Sequence, residues 1–174
     1  MIKAIDQYNY SHIARITGDD LLRDYSALDE GIKQHLEKNV DYTCMDGLPY
    51  GVATEIFSSR FIKEIAFLAE EPDTSEYLTW FADNSNVNSI HRLSYGFSEH
   101  YRLTVDTPED YEVFKRLNEV FKSKLVSVST KEIVDFLYKN PSIAKINSMI
   151  QLKIDKPQIN TQLSFFKELY EANK

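Results

Sequence analysis

The chain has 174 residues, 43% hydrophobic and 27% charged, with a formal net charge of −7, a balance ordinary for one soluble globular domain large enough to bury a real core. Its 20 Lys and Arg are scattered with no basic cluster, which argues against a nucleic-acid backbone partner but not against one small phosphorylated ligand. No apolar run reaches the length of a membrane span, the N-terminus has no apolar signal region, and the single Cys44 excludes an internal disulfide and fits a reducing cytoplasm.

In chain order, the first clear element is "HIARIT" (12–17), a β-branched apolar run ended by Gly18, which predicts a strand buried on both faces. "LRDYSALDEGIKQHLEKN" places Leu28, Ile32 and Leu36 at helical spacing, with Asp24 or Ser26 as N-cap. "VDYTCM" (40–45) reads as a strand, "DGLPYG" (46–51) as a turn-rich loop and "VATEIFS" (52–58) as an alternating strand. A helix follows, with Phe61, Ile65 and Leu68 on one face. Asp73 and Glu76 form a capping-box pattern for a short helix through Phe81.

"VNSIHRLSYG" and "HYRLTV" (100–105) read as further strands. The segment after them is the clearest helix start in the chain. Thr107 serves as N-cap and Pro108 as the first helical residue, while Glu109 and Asp110 lie where carboxylates suit the helix dipole; Tyr111, Phe114, Leu117 and Phe121 make its buried stripe. Thr130 caps a helix stopped by Pro141, and a terminal helix is expected at about 160–172. No linker or repeat interrupts the chain, so residues 1–174 are expected to form a single domain. Strands alternating with helices imply an α/β fold with a largely parallel sheet, in which ligands sit beyond the carboxyl ends of strands.

Two aspartates follow predicted strand ends: Asp19, beside Asp20, and Asp106. Each has an ordinary reading as a turn former or helix cap. Together on one rim they match the demand of Mg²⁺, which keeps several waters and takes one or two protein carboxylates with substrate phosphate oxygens. Other chemistries are poorly supported. His12, His35, His91 and His100 lack zinc-ligand spacing, and Cys44 has no indicated base. The five glycines form neither a dinucleotide fingerprint nor a Walker loop. Glu55 is a carboxylate in an otherwise apolar strand and suits an edge strand's solvent face as well as a site.

The ordered set "ARITGD", "DYTCMDGLPYGVATEIFS", "YRLTVDTPEDYEVFKRL" and "KNPSIAKINSMIQ" resembles the spore-coat-polysaccharide type of cytidylyltransferase, related to the CMP-sugar synthetases for acidic sugars (acylneuraminate and 3-deoxy-manno-octulosonate), over about residues 10–152. The resemblance implies a three-layer α/β/α, nucleotide-diphospho-sugar transferase-like fold with a mixed, mostly parallel sheet. It implies transfer of CMP from CTP to a sugar, with Mg²⁺ and release of pyrophosphate, in surface polysaccharide biosynthesis. It gives Asp19 and Asp106 the metal and catalysis, Glu55 a place toward the sugar with Tyr50 and Gly51 in the loop before it, and Arg15 and Glu76 places in the substrate site.

The family's opening strand and its Arg-, Ser-, Gly- and Lys-containing nucleotide loop have no counterpart here, so the fold is expected to be N-terminally truncated. Three expectations follow: weak CTP binding and little turnover by this chain alone, an exposed edge at 12–17 covered by a homodimer or partner chain, and, as the alternative function, a non-catalytic remnant or assembly subunit.

Overall fold

The computed structural model describes residues 1–68, 90–97 and 101–150. Its four strands, β1 (His12–Arg15), β2 (Tyr42–Asp46), β3 (Glu55–Ser58) and β4 (Ile90–Ser94), form one mixed sheet in the order β1-β3-β2-β4. β3 runs antiparallel to β1 and β2, whereas β4 is parallel to β2. The mixed sheet is as expected, but only one of these pairings is parallel. The link at 47–54 is shorter than the dozen or so residues a parallel crossover needs, so β2 and β3 pair antiparallel.

This topology points β1, β2 and β4 the same way. Their ends at Arg15, Asp46 and Ser94 lie on one edge, together with Glu55 at the start of β3, which pairs with Arg15. The carboxyl edge of the sheet is therefore where loops from distant parts of the chain gather.

Alternating strand residues feed two cores. On one face Tyr42, Cys44 and Phe57 pack with Ile5 of α1 (Ile2–Tyr8) and with Phe61, Ile62 and Ile65 of α3 (Ser59–Leu68). On the other, Met45 and Ile56 join Ala27 of α2 (Tyr25–Lys38), Val113 and Leu117 of α4 (Pro108–Phe121), Leu125 of a 3₁₀ turn (Lys122–Ser127), and Ile133 and Leu137 of α5 (Thr130–Lys139). A short α6 (Pro141–Ala144) follows. Helices on both faces of the sheet make the three layers. None of the described helices is long and apolar enough to cross a membrane.

Several elements differ from the sequence reading, each for an identifiable reason. Asp24 caps α2 by accepting from Ala27 N at 3.0 Å, but the inward face is Ala27, Gly31 and His35, not Leu28, Ile32 and Leu36. A Cβ on Gly31 would lie 2.4 Å from Met45 Cε and 3.0 Å from Ile56 Cδ1, so small side chains let this helix sit close on the sheet. β1 is half-exposed rather than buried on both faces, because it lies at the end of the strand order. Residues 101–105 do not form a strand; they carry one isolated bridge, Tyr50 to Arg102.

α4 begins as expected, with Thr107 and Asp110 in a reciprocal capping box, but it buries Asp110, Val113 and Leu117 and exposes Tyr111, while Phe114 and Phe121 are partly buried. Ser129, not Thr130, caps α5: Glu132 N donates to its Oγ at 3.3 Å and Ser129 N donates to Glu132 Oε2 at 3.1 Å. The expected helices at 73–81 and 160–172 lie outside the described residues.

His35 gives the layer between α2 and the sheet a pH dependence. It is 1% exposed, its Nδ1 lies 2.9 Å from Thr43 Oγ1, and its Nε2 has no hydrogen-bond partner. Burial, then the neighbouring His12, push the imidazole down to about 4, with His91 adding in the same direction and Asp41 opposing. A group held below its unfolded value of 6.5 contributes stability that is present above pH 6.5 and lost as pH falls toward 4. Urea unfolding is expected to show about 2 kcal/mol less stability at pH 5 than at pH 7.5. In His35→Gln that difference should shrink to under about 1 kcal/mol; an unchanged pH slope would rule His35 out as its source.

Candidate active site

Three segments meet at the carboxyl edge of the sheet: the turn after β1, the loop before β3, and the extended 101–107 segment leading into α4. Backbone bonds join them. Val105 N donates to Asp19 O at 3.0 Å, Tyr50 N to Tyr101 O at 3.0 Å, and Leu103 N to Tyr50 O at 2.7 Å.

The adjacent carboxylates of the "TGDD" turn have different duties. Asp20 accepts from Thr17 Oγ1 at 2.5 Å and from Arg23 Nη2 at 2.8 Å. Arg23, with its side chain only 3% exposed, also donates to Val52 O at 2.9 Å, to Ala53 O and to Thr54 Oγ1 at 3.2 Å. Asp20 and Arg23 thus tie the turn to the segment that enters β3. Asp19 remains exposed, and its carboxylate and that of Asp106 are near enough to shift each other's pKa. The neighbouring Asp106 side chain is the largest influence holding Asp19 below the usual carboxylate range. Burial, then the neighbouring Asp19 carboxylate, raise Asp106, against the pull of Arg102.

Asp106 is fixed from behind. Arg102 Nη2 reaches its Oδ2 at 2.5 Å, and Thr104 Oγ1 its Oδ1 at 3.3 Å. Arg102 is anchored in turn by Asp110, and its guanidinium lies 4.9 Å from the Tyr50 ring centroid. Arg15 and Glu55, partners in the β1–β3 register, form an ion pair at 2.7 Å, and Arg15 is near enough to Asp19 to lower its pKa.

Gly51 sets how close the loops come. Its φ is +87°, and an added Cβ would lie 2.6 Å from Thr104 N and 2.8 Å from Thr104 Cβ. Gly51→Ala combines a left-handed backbone with a backbone clash and is expected to cost about 3 kcal/mol. Gly18→Ala, with nothing within 4 Å, should change stability by less than about 1 kcal/mol in the same urea titration. Equal losses in the two variants would remove Gly51 as the spacer.

Of the residues singled out in the sequence, Asp19, Asp106, Arg15, Tyr50, Gly51 and Glu55 come together at this edge, and Glu76 lies outside the described residues. Sequence reasoning missed Arg102, Asp110 and Asn147, although the i, i+4, i+8 spacing of Arg102, Asp106 and Asp110 was there to be read. Among the described residues no group of three or more His, Cys, Asp or Glu could hold a metal. The hard oxygen donors of Asp19 and Asp106, at an exposed edge, nevertheless fit a divalent cation of the Mg²⁺ kind, which asks for one or two protein carboxylates.

No family model matches the chain. It is 31% identical over 150 residues to the uncharacterized protein MJ1063 of Methanocaldococcus jannaschii, covering 84% of this chain and 61% of that protein. It is 30% identical over 148 residues to the spore coat polysaccharide biosynthesis protein SpsF of Bacillus subtilis, covering 82% and 61%. A solved cytidylyltransferase from Leptospira borgpetersenii shares the fold, with a TM-score of 0.75 and 24% identity over 88% of this chain and 65% of that one. The chain thus spans about three-fifths of the length of the curated relatives it matches. Over that span the chain is similar in sequence to the spore coat polysaccharide biosynthesis protein and shares the fold of the solved cytidylyltransferase.

Proposed function

We propose that the chain forms the metal-holding and acceptor side of a cytidylyltransferase that transfers CMP from CTP to a sugar and releases pyrophosphate, in the cytoplasm, for surface polysaccharide synthesis. The observation that carries this reading is the meeting of Asp19 and Asp106, from opposite halves of the chain, at the carboxyl edge of the sheet, where Val105 N donates to Asp19 O at 3.0 Å. These two side chains would hold Mg²⁺, which when bound neutralises charge developing on the transferred phosphoryl group. Asp19 sits on a turn fixed by Asp20 and Arg23, and Asp106 is oriented by Arg102 and Thr104, so both are preset. Glu55, paired with Arg15, lies beside them and would face the sugar.

With Mn²⁺ as a paramagnetic stand-in for Mg²⁺, electron spin resonance is expected to find one bound ion in the wild type. Affinity should fall at least about tenfold in Asp19→Asn and in Asp106→Asn. Retained Mn²⁺ binding in both variants would sink the reading. Calorimetry is expected to find CTP binding weaker than about 100 μM, because among the described residues the triphosphate meets no Lys- and Arg-bearing loop at this edge; micromolar binding would count against an incomplete nucleotide site.

A second reading, assembly with another chain, is favoured by the flank of α2. Gln34 meets His91 of β4, and the carbonyl of Ala27 accepts from Tyr95 just beyond it, so that flank faces β4. At 100° per residue Leu28, Ile32 and Leu36 lie on the opposite flank, toward β1, with Ile32 36% and Leu36 51% exposed. An end strand beside an apolar helix flank suits a strand from a second chain, another copy or a different polypeptide. Light scattering at high concentration should show a species larger than the 20.2 kDa monomer, alone or after co-expression with a polypeptide bearing a nucleotide loop. A monomer under both conditions would overturn it.

A further inference from the structure

Arg102 has more hydrogen-bonding capacity than its clamp on Asp106 uses. Its Nε donates to Asp110 Oδ1 at 2.8 Å, and its Nη2 donates to Asp110 Oδ2 at 3.0 Å and to Asp106 Oδ2 at 2.5 Å. Asp110, with its side chain fully buried, is itself held by Asn147 Nδ2 at 2.9 Å and by the backbone N–H groups of Asp106 and Thr107. With the Tyr50 ring against its face, the guanidinium has one orientation. The side chain is 10% exposed. Nη1, on the other edge, donates to no described residue, yet it is not among the polar atoms sealed from solvent.

A planar cation immobilised along one edge and open along the other is suited to an oxyanion, whose geometry the guanidinium fork matches. Here the open edge adjoins the carboxyl pair suited to a divalent cation. A phosphoryl group placed between them would meet positive charge on two sides. We propose that Arg102 Nη1 is a phosphoryl-oxygen binding point of this site, with Tyr50 as its platform and Asp110 and Asn147 as its anchor. The inference deepens the cytidylyltransferase reading and rests on it, and the ligand class is a nucleotide phosphate or the pyrophosphate product.

Inorganic pyrophosphate is the probe. Mn²⁺ binding is measured by spin resonance, and pyrophosphate binding by equilibrium dialysis with and without Mn²⁺. The wild type is expected to bind pyrophosphate in the presence of Mn²⁺ with a dissociation constant on the order of 1 mM. Arg102→Lys keeps a cation against Asp110 and Asp106 but loses the outer edge. It is expected to hold Mn²⁺ within about twofold of wild type and pyrophosphate about tenfold more weakly. Wild-type pyrophosphate affinity in Arg102→Lys overturns the proposal, as does no pyrophosphate binding by the wild type. Parallel loss of Mn²⁺ and pyrophosphate also overturns it, since Arg102 would then only support Asp106. Failure of the metal reading looks different: the wild type binds no Mn²⁺, while pyrophosphate binds without it and is weakened in Arg102→Lys. If Arg102→Lys does not fold, R102Q/D110N, which removes both buried charges together, is put through the same two measurements, and pyrophosphate binding retained there overturns the proposal.

Discussion

Asp110→Ala is expected to lower folding stability by about 3–5 kcal/mol, the range found when one partner of a buried ion pair is removed. Asp110 accepts from five donors: Arg102 Nε and Nη2, Asn147 Nδ2, and the backbone N–H groups of Asp106 and Thr107. Alanine would leave the 10%-exposed Arg102 charge without its main partner and three further donors unsatisfied. Against a typical total of about 5–15 kcal/mol, much of the population would unfold in mild denaturant. Urea titration followed by circular dichroism checks this, with exposed Glu109→Ala as the neighbouring control, expected to change stability by less than about 1 kcal/mol. A loss below about 1 kcal/mol in Asp110→Ala would show that the network relaxes without it.

The network also sets an acid limit. Burial raises the Asp110 carboxyl, but hydrogen bonds from Arg102, Asn147 and the backbone outweigh it and hold the group below 3.8. Its contribution is therefore complete above that value and is lost as pH falls below it, a window more acidic than that of His35.

Phe57→Ala is expected to cost about 3–5 kcal/mol through loss of buried area and the cavity left behind. Phe57 is fully buried on β3, the strand that joins β1 to β2. Its ring lies 5.0 Å from Tyr42 at 15° and 6.1 Å from Phe61 at 18°. Removing it empties the centre of the core shared by α1, α3 and the sheet. Phe57→Leu should cost about half as much or less. Both are read as midpoint shifts in urea, and equal losses would point to strand pairing rather than packing as the cause.

Local signals made part of this fold legible and long-range packing concealed the rest. Thr107-Pro108 with Asp110 three residues beyond the cap announces α4, because capping is settled within one turn. Which face of α2 turns inward is settled by the sheet: Gly31 under Met45 outweighs the larger Leu28, Ile32 and Leu36, and no helical periodicity contains that information. The run "HYRLTV" has strand composition, yet 101–105 is held by two backbone bonds to Tyr50 and one to Asp19 rather than by a ladder. The two aspartates could be named from their positions after apolar runs, whereas Arg102 carried only its spacing to Asp106 and Asp110, and its importance emerges once Asn147 holds Asp110 and Tyr50 packs on its guanidinium.

The bond between Val105 N and Asp19 O joins positions 86 residues apart, and the two carboxyls beside it become neighbours only once that large ring of chain has closed. Ring closure over such a separation is entropically late, so the grip on a divalent ion should arise with the last cooperative step of folding, on a scale of about milliseconds to seconds. Quenching of a fluorophore by bound Mn²⁺ would then follow completion of the native topology itself, lagging the signal from helices such as α2 and α4 that need only nearby residues.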